Sequence, residues 1–338
     1  MKNEWPIKAP LTINWALNTT CTFACRHCYS RGETDAELPG ETLRDCFSRV
    51  ARAGVLAVNF GGGEPLLRSD LLELAGAAAA LGLRVSMNSN GWLIDGPMAA
   101  ALKQAGFAKV GISLDSHTPA VHDRFRGVPG SHARGVAALG HLRAAGIRTS
   151  LSTVICTINQ DDVGPLIAFA RQHGVAQLNL HNFKCAGLGL ANRDELDLSP
   201  AQWREFYCRA LAAKAGVTDL EVSFDDPVIA SLGLPGESSL VKGSICGKLS
   251  LSIKANGDIT PCGFIPQVIG NIVRDDLVAV WSSAPLLEQL RHKEPSGKCG
   301  SCGHYADCLG GCSARALAVT GDLNSPDPHC WVTDTLSP

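Results

Sequence analysis

The sequence carries few charges and almost no excess of either sign: 18% of its 338 residues are Asp, Glu, Lys or Arg, and the formal net charge is −2. Aromatic residues make up only 6%, and no basic stripe with interleaved aromatics runs through the chain. Nucleic acid and anionic membrane surfaces are therefore excluded as general partners, because both are held by clustered positive charge. There is no apolar run long enough to cross a bilayer. The opening residues, MKNEWPIKAPLTINWALN, lack the cationic start, apolar run and small-residue cleavage site of a secretory signal. Low-complexity tracts and internal repeats are missing too, and the cytoplasm is the expected compartment.

What the sequence does have is apolar residues, 45% of the total, and fourteen cysteines. Length and apolar content suffice for one large α/β domain and a smaller module. In a small secreted chain so many cysteines would mean disulfides. In a long chain without a secretion signal they point to metal chemistry in a reducing compartment.

From Leu11 to Phe183, short β-branched runs (11-LTINWAL, 55-VLAVNF, 84-RVSMN, 109-KVGISL, 149-TSLSTVI and 177-QLNLHNF) alternate with helical patterns. Such alternation predicts parallel βαβ units. One intervening segment, GETLRDCFSRVARAG, puts Leu43, Cys46, Phe47 and Val50 on one helical face and stops at Gly54. Six such units make a partial (βα)6 barrel, with chemistry expected at the C-terminal ends of its strands by analogy with complete barrels. We therefore expect an α/β fold with a partial TIM-like barrel over residues 1–190. A bridge over 191–240 follows, with a helix starting at Ser199-Pro200, and then a cysteine-rich module over 241–338 that begins near Val241.

Directly after the first strand stands 21-CTFACRHC, a C-x3-C-x2-C spacing. Three thiolates can hold three irons of a [4Fe–4S] cluster and leave the fourth open, whereas a closed zinc site needs a fourth ligand. One βα unit later, the second strand ends in 61-GGGEP. Alone, that stretch is a turn that glycine permits. Together with the cysteines it resembles the radical S-adenosylmethionine (SAM) superfamily, and the resemblance continues through 88-NSNG, 113-SLDS and 121-VHDRFRG.

The resemblance implies that Cys21, Cys25 and Cys28 hold a cluster whose open iron takes the amino and carboxylate groups of SAM. Reductive cleavage of SAM would then release an adenosyl radical that abstracts hydrogen from unactivated carbon, the cofactor supplying the chemistry and the protein the placement. It further implies that Gly61, Gly62, Gly63 and Glu64 bind the SAM ammonium. Asn88, Ser113 and Asp115 would line the ribose and methionine, and Tyr29 would pack by the adenine. By residue type alone, Ser113 and Asp115 equally suit helix capping, and Tyr29 suits a core position.

The C-terminal cysteines form a second array: 246-CGKLSLSIKANGDITPC, 299-CGSCGHYADCLGGC and Cys330. Asn256-Gly257 is a two-residue hairpin signal that would bring Cys246 and Cys262 together. The array resembles the SPASM extension of radical SAM enzymes. That likeness implies one auxiliary cluster on Cys246, Cys262 and Cys312 and another on Cys299, Cys302, Cys308 and Cys330, for three [4Fe–4S] clusters in the chain. No fourth cysteine stands in 239-SLVKGSI, so an iron of the first auxiliary cluster is left open to substrate or to another ligand. A pair of structural zinc sites is the alternative, since C-x2-C is also a zinc spacing. Cys46, Cys156 and Cys208 match no cluster pattern and read as buried thiols.

Fold cannot choose among the reactions of SPASM enzymes. Sulfatase-maturing relatives place an acidic base after the second hairpin cysteine, where this chain has Gly263 and Phe264. The short stretch before the first strand leads us to expect no fused leader-peptide-binding domain. The expected reaction is hydrogen abstraction from a small metabolite (a sugar, a nucleoside or another natural-product intermediate), with net oxidation through the auxiliary clusters and a reductant such as flavodoxin or ferredoxin. Peptide modification, aided by a separate peptide-binding partner, and tetrapyrrole side-chain oxidation are the alternatives. A non-enzymatic iron–sulfur carrier or zinc-bound interaction protein is an alternative of another class, and it would not need 61-GGGEP. After the sixth strand, 181-HNFKC supplies His181, Asn182 and Lys184 as substrate candidates and Cys185 as a candidate hydrogen donor or iron ligand.

Overall fold

The computed structural model describes residues 5–32, 34–233 and 242–333. The module boundary expected near Val241 lies outside the described residues. Seven parallel strands follow one another in one sheet: β1 (Thr12–Asn18), β2 (Ala57–Gly62), β3 (Arg84–Ser89), β4 (Lys109–Ser113), β5 (Arg148–Val154), β6 (Gln177–His181) and β7 (Glu221–Phe224). The first six fall on the runs read from sequence. β7 spans only four residues, too short for a clear alternation to emerge.

The strands alternate because the two faces of the sheet differ. Ile13, Trp15 and Leu17 of β1, Val58 and Phe60 of β2, and Val85 and Met87 of β3 are all buried. Helices cover that face: α1 (Gly40–Arg52) buries Leu43, Cys46, Phe47 and Val50, with the Phe47 ring 5.1 Å from Trp15 and 5.6 Å from Phe60. Burying a ring of this kind contributes roughly 1.5–3 kcal/mol. The opposite face is polar, as Asn59 donates to Asn14 at 3.3 Å, Ser86 to Asn59 at 3.0 Å and Ser223 to Asn179 at 2.7 Å. A parallel sheet covered on both faces would show continuous apolar runs instead.

The sheet does not end at β1. β8 (Ser250–Ile253) pairs parallel to β1, with Ser250 opposite Thr12, and β9 (Asp258–Thr260) and β10 (Gly270–Asn271) add antiparallel strands. The cysteine-rich hairpin is thus an extension of the barrel sheet. Its loop differs from the expected two-residue turn. Three residues, Ala255 to Gly257, connect the strands, with Lys254 N donating to Asp258 O at 2.8 Å and Gly257 N to Lys254 O at 2.9 Å. Gly257 takes φ +87°, the left-handed residue that completes a three-residue hairpin.

The helix Pro200–Lys214 begins with a capping box: Ser199 Oγ accepts from Gln202 N at 3.3 Å, and Gln202 Oε1 accepts from Ser199 N at 2.9 Å. Its buried face is Trp203, Phe206, Tyr207 and Ala210. Cys208 falls outside that face and is exposed, unlike the buried thiol expected, whereas Cys46 and Cys156 are buried. Among the described residues no helix is long and apolar enough to cross a membrane.

Candidate active site

Cys21, Cys25 and Cys28 lie on the loop leaving β1, which residues 125–127 brace from behind. Ala24 N donates to Arg126 O and Arg26 N to Phe125 O, both at 3.2 Å. Gly127, at φ +71°, allows this approach, since a Cβ there would stand 3.0 Å from Ala24 O. His27, the other metal-binding side chain on the loop, stacks on Phe125 with centroids 4.5 Å apart. Burial and the nearby Arg126 push its pKa down to about 3. Burial raises the Cys21 and Cys25 thiols. Arg126 acts the other way, its Nη1 standing 3.7 Å from Cys25 Sγ.

The glycine loop presses against the start of the cysteine loop. A Cβ on Gly62 would stand 2.1 Å from Asn18 O, and one on Gly63 2.1 Å from Thr20 O. Gly63 N donates to Asn18 O at 3.0 Å and Glu64 N to Thr20 O at 2.8 Å. Ser30 bridges the two loops, donating to Gly62 O at 3.4 Å and lying 3.7 Å from Cys28 Sγ.

The remaining array cysteines gather in two places. Cys299, Cys302, Cys308 and Cys330 line one small enclosed space with Gly310 and Gly311. Cys246, Cys262 and Cys312 open onto a cavity of about 1120 Å³ that is lined also by Val222, Ser223 and Phe224 of β7 and Ser250 and Ser252 of β8. A hydrogen bond from the Cys262 thiol holds the Cys246 pKa below the usual thiol range. The thiolate donor sets suit iron–sulfur ligation.

Residues of the β6 end meet at the same cavity. Asp225 receives His181 Nδ1 at 3.2 Å, Asn182 N at 3.1 Å and Lys184 Nζ at 3.4 Å. Burial would lower the Lys184 pKa, but the Asp225 charge outweighs it and raises it. Asp225 was not a candidate from sequence, since its only signal was an Asp-Asp-Pro after a strand too short to recognise. Lys184 Nζ also lies 5.5 Å from the Phe264 ring centroid, and Phe264 meets Tyr29 edge-on at 4.8 Å. Lys184 beyond β6 and Gly263 and Phe264 of the hairpin loop thus line one cavity, and Tyr29 joins the first cysteine loop to that hairpin loop through Phe264.

A family description, the radical SAM superfamily, matches residues 16–170, and an iron–sulfur cluster-binding domain of the SPASM type matches 246–303. The mycofactocin maturase MftC of Mycobacterium ulcerans is 34% identical over 334 residues, spanning 97% of this chain and 89% of that protein. The chain belongs to the radical SAM superfamily. The AdoMet-dependent heme synthase of Methanosarcina barkeri is 29% identical, over 95% of this chain and 96% of that protein. Among solved structures, Streptococcus suis SuiB bound to S-adenosylmethionine has the same fold, with a TM-score of 0.80 at 19% identity, covering 96% of this chain and 78% of that one. Iron–sulfur clusters and SAM are therefore the cofactors of this radical SAM enzyme.

Several side chains are not where the family likeness led us to expect them. The Glu64 carboxylate turns inward, 2% exposed, and accepts from Ser89 Oγ and Asn90 N, both at 2.8 Å, and from Leu66 N at 3.2 Å. It knits β2 to β3, whereas Gly61, Gly62 and Gly63 stay half-buried. Asp115 is fully buried, with both oxygens on Arg126 (2.5 and 3.1 Å) and one on Val154 N (3.0 Å), so it cannot reach a ribose. Burial opposes its ionisation, but Arg126 holds its pKa below the usual carboxylate range. Ser113, half-buried, and Asn88, exposed, stay on the open side of β4 and β3. Tyr29 packs on Phe264 from the other array. Cys185 is buried and points 3.6 Å from Asp197 Oδ2, a carboxylate shared with Trp203 Nε1 at 3.2 Å and His329 Nε2 at 2.9 Å. Burial, then Asp197, pushes this thiol up to about 12, and it does not line the cavity.

Proposed function

We propose that this radical SAM enzyme matures a precursor peptide. The observation that carries this reading is the 34% identity to the peptide-modifying mycofactocin maturase across almost the whole of both chains. Tetrapyrrole oxidation is the second reading, favoured by the 29% identity to a heme synthase of nearly equal coverage. Support thereby passes from the small metabolite first expected to these two alternatives.

In this reading Cys21, Cys25 and Cys28 hold the SAM-binding cluster, and the carbonyls of Gly61 to Gly63 receive the SAM ammonium, with Asn88 and Ser113 towards the ribose. Cys246, Cys262 and Cys312 hold one auxiliary cluster, and Cys299, Cys302, Cys308 and Cys330 the other. Held by these residues, SAM and its cluster would supply the hydrogen-abstracting chemistry. Lys184, oriented by Asp225 on the cavity wall, would meet an anionic group of the substrate, while Phe264 covers an apolar one. Arg126 and Asp115 keep Cys25 in place. The division into a barrel to 190, a bridge to 240 and a module beyond belongs to the same proposal. So do a flavodoxin or ferredoxin reductant, a separate peptide-binding partner and a cytoplasmic location.

The test is anaerobic turnover of the reconstituted protein with SAM and reductant, against short peptides encoded beside its gene and against propionate-bearing tetrapyrroles. Release of 5′-deoxyadenosine coupled to a mass change in a peptide is expected. Conversion of a tetrapyrrole, with every peptide unchanged, would overturn the peptide reading in favour of the second.

A further inference from the structure

Lys293 follows the helix Pro285–Arg291 and is 9% exposed. Its ammonium touches only neutral oxygens: Gly310 O and Ser313 Oγ at 3.4 Å and Ser325 O at 3.5 Å. Among the described residues it forms no ion pair with a carboxylate. Asp327, whose charge reaches it, is already committed to Arg315 Nε at 2.8 Å and Cys312 N at 2.6 Å. A buried cation without a direct partner is expensive unless something anionic offsets it.

The surroundings show what does. Ser313 directly follows Cys312, a cysteine of the large-cavity group. On the other side, a Cβ placed on Gly310 would stand 3.1 Å from Lys293 Nζ and 3.8 Å from Cys299 Sγ, a cysteine of the second group. Gly310, at φ +73°, has no side chain to separate the two, and the Tyr305 hydroxyl fixes the Lys293 backbone by donating to its carbonyl at 2.5 Å. One ammonium therefore stands between the two auxiliary cysteine sets.

We propose that Lys293 is a counter-charge shared by both auxiliary clusters, a positioning and tuning residue that makes the pair easier to reduce. Each cluster gains one negative charge on reduction, and a fixed positive charge between them favours that state in a medium of low dielectric. The substrate's electron would then leave towards the module rather than return to SAM. This inference rests on the two-auxiliary-cluster reading above.

The experiment is an EPR-monitored redox titration in a Cys21→Ala, Cys25→Ala, Cys28→Ala background, with Lys293→Met and Lys293→Arg added separately. Lys293→Met should lower both midpoint potentials by about 59 mV or more, a tenfold change in the one-electron equilibrium. Lys293→Arg, which keeps the charge, should leave them near those of the background. Assembly of both clusters with Arg but not with Met also supports the charge role. A Met variant with unshifted potentials, or loss of clusters in both variants, overturns it and leaves a packing role. If the background itself holds only about four irons, the two-cluster reading fails and the shared-charge role falls with it.

Discussion

Arg126 Nε stands 2.5 Å from Asp115 Oδ2, and the same guanidinium reaches Cys25 Sγ at 3.7 Å through Nη1. Replacing Asp115 by Asn should leave Arg126 buried beside the thiol without its counter-charge. Breaking a buried pair from one side costs about 3–5 kcal/mol. We expect a lower urea midpoint and a weakened first cluster, read as iron lost from the reconstituted protein. Unchanged stability and iron content would mean that the pair does not hold the loop.

Arg315 joins Asp226 at the end of β7 (2.9 Å) to Asp327 near Cys330 (2.5 Å), and all three side chains are fully buried. Arg315→Met should destabilise the chain by about 3–5 kcal/mol, because two carboxylates then face each other out of water. Adding Asp226→Asn should recover part of the loss in urea denaturation. If the double variant is no better than the single one, repulsion between the acids is not the cause.

Gly63→Ala should abolish SAM binding, since its Cβ would meet Thr20 O at 2.1 Å and the backbone has to move. Gly76, mid-helix in Leu71–Ala80 with nothing within 4 Å of its Cβ position, is the control. There Ala should stabilise by about 0.5–1 kcal/mol and leave SAM affinity unchanged. Anaerobic titration calorimetry compares the two, and equal affinities would refute the glycine-loop assignment.

Cys185→Ala should make the wild-type product at the wild-type rate, because the thiol is sealed against Asp197. Lys184→Met should instead raise the KM for substrate while SAM cleavage without substrate persists. The outcome that would restore a chemical role to Cys185 is a changed product from the alanine variant, analysed by mass spectrometry.

Anaerobic reconstitution should give about twelve irons and twelve sulfides per chain, four for each of three clusters. The Cys21, Cys25 and Cys28 triple alanine variant should keep about eight and form no 5′-deoxyadenosine. Stoichiometric zinc in place of iron at the second array would contradict this.

The sequence alone determined whatever depends on neighbours along the chain. Strand and helix alternation, the C-x3-C-x2-C loop, the glycine stretch and the presence of a hairpin around Gly257, though not its three-residue loop, are all set by backbone geometry within a few residues, so spacing reveals them. Side-chain direction is different. Glu64 turns to Ser89 and Asn90, Asp115 to Arg126 and Val154, and Cys185 to Asp197 and His329. Each choice follows from which buried donors the packing brings near, and the residue types allowed a ligand role just as well. Asp225 and Lys293 stayed hidden for the same reason. One sits after a strand that becomes a strand only by pairing with β6, and the other lies between cysteine groups that come together only when the chain beyond β8 folds back on itself. A buried charge is placed by partners distant in sequence, and only the tertiary structure decides which partners those are.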